Sequence, residues 1–133
     1  MNLLFIAVGG AIGSILRYLM NDVATKFSAD VANPYLARFP WGTFSVNIIG
    51  SMVAGIAYYF LIKHLQYIDP KLKNFLFVGL LGGFTTFSTF SLDFFRLFTA
   101  GQYHHAFVYA FSTFIMSILA LFFGFYLMKV VIA

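Results

Sequence analysis

Gly82-Gly83-Phe84-Thr85-Thr86-Phe87-Ser88-Thr89-Phe90-Ser91 sets two glycines and five hydroxyls in the middle of a segment otherwise apolar enough to span a membrane. Hydrocarbon offers such groups no partner, and each one left unpaired costs several kcal/mol. The stretch must therefore lie against protein or line a polar path, and it reads as the lining of a pore.

The composition makes the membrane the natural solvent: 62% of the 133 residues are hydrophobic, 21% aromatic and only 9% charged, with a mean hydropathy of +0.91. Crossing about 30 Å of hydrocarbon takes roughly 20 apolar residues in a helix. Four segments qualify, at about 3–20, 41–62, 75–98 and 106–128. The first carries Arg17 near its end, the second and fourth carry no charge, and the third ends on Asp93 and Arg96. No basic run precedes Leu3 and no small-residue cleavage site follows, so the first segment is expected to persist rather than serve as a signal peptide. The expected fold is an all-α integral membrane protein of four transmembrane helices in a single domain, residues 1–133.

With no cysteine, disulfides and thiolate metal sites are excluded. His104 and His105 are adjacent and cannot share a helix face, and His64 closes a span, so no side-chain metal site is assigned. The net charge of +4 and pI near 9.5 come from scattered Lys and Arg rather than a patch, which favours lipid headgroups over nucleic acid. With four spans, Lys63, Lys71, Lys73 and Lys129 fall on one side of the membrane and Arg17, Lys26, Arg38 and Arg96 on the other. Orientation normally follows an excess of Lys and Arg on the cytoplasmic side, and here there is none. Insertion both ways up is the expectation. A four-helix bundle fills its own centre with side chains, so an aqueous path calls for assembly, and two orientations assemble naturally as an antiparallel two-fold dimer.

The first loop, Asp22 to Pro40, is long enough for a short interfacial helix, and Pro40 before Trp41 suits a helix start with Trp41 as a headgroup anchor. Asp69 before Pro70 reads as the cap of the third helix, and Ala100-Gly101-Gln102 as a tight turn. Gly9 and Gly13, Gly10 and Ser14, and Ser51 and Gly55 have the spacing that lets helix backbones approach closely in lipid.

In the third span Gly79, Gly82 and Gly83 lead into Thr85 and Thr86, a poor helix former, so the helix is expected to break mid-membrane and free its backbone groups. Such breaks hold ions, cations on free carbonyls and anions at helix N-termini. Phe87 and Phe90 share one face beyond the break, as do Ser88 and Ser91. Ring edges are electropositive and suit an anion; phenylalanines at helical spacing equally suit a core. Asn47 puts a carboxamide in the second span, and Tyr109, Thr113 and Ser117, four apart, make a hydroxyl stripe on the fourth. Singly these are interhelical glue; together with the third span they form a track of neutral donors.

Gly10-Ala11-Ile12-Gly13-Ser14-Ile15-Leu16-Arg17-Tyr18, Trp41-Gly42-Thr43-Phe44-Ser45-Val46-Asn47 and the Gly82–Ser91 run resemble the signatures of the Fluc (CrcB) fluoride-channel family, in order and over all four spans. The resemblance implies a dual-topology antiparallel homodimer in the bacterial inner membrane, with two parallel pores that conduct fluoride passively and protect the cell from it. It implies a pore of Phe87, Phe90, Asn47, Ser88, Ser91, Tyr109, Thr113 and Ser117, with Arg17 near a wide vestibule. It also implies a structural Na+ on the carbonyls of Gly82 and Thr85 at the dimer interface. Asp93 stands where some relatives have Glu. Fluoride is small and strongly hydrated, so its pore must return the dehydration cost through close donors while binding weakly enough to release it.

The rival is a small dual-topology proton-coupled exporter of the multidrug type. That chemistry needs an ionisable carboxylate in the membrane, and the chain has no Glu, while Asp22 and Asp93 lie toward span ends. A structural membrane protein would use the hydroxyls only as glue. No nucleophile, base and orienting group stand in an enzyme's arrangement.

Overall fold

The computed structural model describes residues 2–133, and among these there is no strand. Helix α1 runs Asn2–Asp30, α2 is the short Pro34–Ala37 and α3 spans Trp41–His64. Helix α4 comprises residues 70–84, α5 is Phe87–Thr99 and α6 is Tyr103–Ile132. Four stretches are long and apolar enough to cross a membrane, Asn2–Asp30, Trp41–His64, Pro70–Thr99 and Tyr103–Ile132. The chain is a multi-pass membrane protein.

Local chemistry sets the element ends. Asn33 caps α2 by accepting from the Tyr35 amide at 2.9 Å, and Asp69 caps α4 by accepting from the Lys71 amide at 2.7 Å, each with proline at the first helical position. Helix α5 ends in a Schellman motif: the Gln102 amide bonds the Leu97 carbonyl at 2.9 Å and the Gly101 amide that of Phe98 at 3.0 Å, with Gly101 at φ 73°.

Helix α1 overruns its expected end by ten residues, so the segment from Asp22 to Asp30 is helix rather than loop. No glycine or proline interrupts it, Lys26 pairs with Asp22 at 2.7 Å, and Thr25 and Ser28 return their hydroxyls to the carbonyls one turn back. The end of α3, Tyr58–His64, and the Asn74–Leu81 portion of α4 are wound in wider π turns, a local underwinding that propensity does not reveal.

Helix α3 packs along α6, and α1 along α4. The second seam is backbone against backbone: a Cβ on Gly83 would lie 2.6 Å from the Gly10 carbonyl oxygen, and one on Gly79 would lie 2.8 Å from that of Ile6. Gly79, Gly82 and Gly83 therefore do not break the helix. They stay helical, and Gly79 and Gly83 serve close approach. Within the third span the chain leaves helical geometry at Thr85 (φ −79°, ψ 160°) and Thr86 (φ −154°, ψ 122°). The buried core is small, with Val46, Leu81, Leu97, Ala106 and Tyr109 its apolar members. Most large apolar side chains face outward, as lipid solvation permits.

Candidate functional site

The interruption at Thr85 and Thr86 opens a cleft of about 280 Å3 against α3, α5 and α6. Asn47 holds it open. Its Nδ2 donates to the Thr86 carbonyl at 3.0 Å, and its Oδ1 accepts from the Thr86 amide at 2.8 Å. One carboxamide thus replaces the two ladder bonds that the extended residue loses, and it retains a second N–H. In a continuous helix the Thr86 amide would bond the Gly82 carbonyl; its diversion to Asn47 leaves that carbonyl without this donor. Thr86 also restarts the helix, since its Oγ1 accepts from the Thr89 amide at 3.2 Å as the N-cap of α5. The thirteen-residue α5 consequently begins beside the cleft with its positive dipole end.

The far wall belongs to α6. Thr113 and Ser117 both line the cleft, and both hydroxyl oxygens are buried with no hydrogen-bond partner in the protein. Buried polar atoms are rarely left unpaired, so two on one face of one helix point to a ligand or water that completes them. Phe87 and Phe90 form a third side, their centroids 5.5 Å apart at 34°. Phe90 is half-buried, whereas Phe87 is 79% exposed.

Asn47, Phe87, Phe90, Thr113 and Ser117 are brought together here, joined by Ser51 and Thr85, which the sequence pattern presented as packing and as break residues. Ser88 and Ser91 are exposed and outside the cleft lining. Ser88 Oγ lies 3.3 Å from Thr86 Oγ1, and Ser91 returns its hydroxyl to the Phe87 carbonyl at 3.0 Å. Tyr109 is fully buried behind Phe90, with centroids 5.3 Å apart, and its hydroxyl donates to Asp93 at 3.3 Å. Arg17 Nη1 donates to the Thr85 carbonyl at 3.3 Å, which ties α1 to the interruption.

Asp93 is the group that sequence spacing left without a role. It accepts from Thr43 at 2.6 Å as well as from Tyr109, and it faces a second, more polar cavity of about 430 Å3 shared with Thr89 and Arg96. Phe90, Tyr109 and Asp93 thus stand as a layer between the two cavities. Thr43 and Asp93 are fifty residues apart, and no periodicity within one helix links them. Among the described residues no group of three His, Cys, Asp or Glu side chains could hold a metal.

A four-span bundle with a narrow cleft of neutral donors, aromatic rings and a helix N-terminus defines a small multi-pass membrane protein equipped to meet an anion. The chain matches the family described as "CrcB-like protein, Camphor Resistance (CrcB)" over residues 4–125, and it belongs to that family. It is 41% identical over 123 residues, 92% of each chain, to a protein of Agrobacterium fabrum named fluoride-specific ion channel FluC. Proteins of the same name from Campylobacter fetus (41% over 129 residues, 97% of this chain and 94% of the relative) and Bacteroides fragilis (40% over 125 residues, 94% of each) are similarly related.

Proposed function

We propose that this protein is a fluoride-selective channel of the bacterial cell membrane that lets accumulated fluoride leave passively. The observation that carries the reading is the pair of buried, unpartnered hydroxyls of Thr113 and Ser117, facing the edge-bearing rings of Phe87 and Phe90 across one cleft. A small dehydrated anion finds donors there and meets no fixed cation in the cleft wall that would hold it too tightly. The names of the FluC relatives agree with this reading.

The interruption at Thr85 and Thr86 is proposed to sit mid-membrane, and the working unit to be an antiparallel homodimer of dual topology. A cleft open on one side and a phenylalanine 79% exposed at its mouth are what a second, inverted copy would cover. Ser88 and Ser91, exposed on α5, would meet the pore only in that assembly. The carbonyls of Gly82 and Thr85 fit a Na+ ion: the first has lost its helical donor, and the second accepts from Arg17 with only one of its two lone pairs. The ion would be structural. The rival proton-coupled exporter finds no ionisable carboxylate in the cleft wall.

Purified protein in potassium fluoride vesicles tests the function. On addition of a potassium ionophore, fluoride should leave rapidly while chloride in parallel vesicles stays. Release that requires a proton gradient would replace the channel with a coupled transporter, and equal chloride loss would remove the selectivity.

A further inference from the structure

A cavity larger than the polar cleft lies elsewhere on the molecule. Leu4, Phe5 and Val8 of α1 and Leu72 and Phe75 of α4 wall a groove of about 550 Å3, and among the described residues the charged members of its wall are Asp69 and Lys71. The groove opens where two helices begin, α1 at Asn2 and α4 at Pro70, so its polar end lies at the edge of the membrane-spanning region. We propose that it holds an acyl chain of an anionic glycerophospholipid whose phosphate rests on the Lys71 ammonium.

Charge complementarity selects this occupant. The Asp69 carboxylate is committed as the cap of α4, accepting from the Lys71 amide at 2.7 Å, where the helix N-terminus offsets its charge. Among the described residues the one ion pair is Lys26 with Asp22, so Lys71 has no carboxylate partner. Lys63 and Lys73 flank it, which leaves three lysines against one aspartate over residues 63–73. A basic site beside an apolar groove at a membrane edge is the arrangement that recognises anionic headgroups. A half-buried lysine lays its methylenes along such a groove and lifts its ammonium to headgroup level.

The full-length protein, presented with equal amounts of phosphatidylglycerol and phosphatidylcholine and analysed by native mass spectrometry, should retain phosphatidylglycerol preferentially. Lys71→Gln should lower that preference about fivefold, the effect of removing one lysine near a charged surface. Val8→Trp, which fills the groove, should reduce retention of both lipids, while Lys73→Gln should leave the preference largely intact. Equal retention of the two lipids by the wild type overturns the proposal. So does an equal effect of Lys73→Gln, which would mean a diffuse basic surface, or retention indifferent to Val8→Trp.

Discussion

The third span contains two regions of opposite design only a few residues apart. Through Gly79 and Gly83 it presses its backbone onto that of α1, with no room for a methyl group. Through Thr85, Thr86 and Phe87 it leaves helical geometry, bonds to Asn47 of α3 and walls a cleft in which the Thr113 and Ser117 hydroxyls of α6 lack partners. Both regions are rich in residues that helices tolerate poorly, yet one stays helical and the other does not. The difference lies in what each faces. The glycine region meets a helix that accepts its surface, so a continuous ladder and close packing agree. The threonine region meets Asn47, whose carboxamide offers the backbone an alternative to the ladder at one residue.

The contrast is most severely tested at the seam. Gly83→Leu would drive its side chain into the Gly10 carbonyl and should cost about 3 kcal/mol or more, seen as loss of the monodisperse peak on size exclusion in detergent. A well-folded variant would show that the seam is loose.

A smaller effect is expected at the interruption. Asn47→Ala removes both bonds to Thr86 and should destabilise the protein by about 2 kcal/mol, with fluoride flux lower by at least about tenfold, the equivalent of about 1.4 kcal/mol in the barrier. Normal flux with lowered thermal stability would reassign Asn47 to packing alone.

The smallest change in stability belongs to the cleft wall. Thr113→Val replaces an unpartnered buried hydroxyl with a methyl group, so thermal stability should stay level or rise while flux falls several-fold. A loss of more than about 1 kcal/mol would mean that the hydroxyl has a structural partner.

The hydroxyl stripe of α6 was legible because Thr113 and Ser117 share a face by helical spacing alone, and Phe87 and Phe90 likewise. The cap at Asp69 was legible because an acceptor followed by proline acts within two residues. Asp93 was not, since its partners Thr43 and Tyr109 come from α3 and α6. The end of α1 was misplaced because polar residues beyond Met20 suggested a loop, although nothing in them stops a helix once it has left the hydrocarbon.

Hydropathy, the hydroxyl-rich run and the turn residues determined that this chain crosses the membrane four times and that its third crossing carries polar groups needing partners, because each of those signals acts within a helix turn or within a span's length. Only the tertiary structure decided where the third helix yields, that Arg17 reaches the Thr85 carbonyl, that Tyr109 serves Asp93 rather than the cleft, and that Thr113 and Ser117 remain without partners. Those outcomes depend on which donors and acceptors meet across helices, and spacing along one helix carries no information about its neighbours.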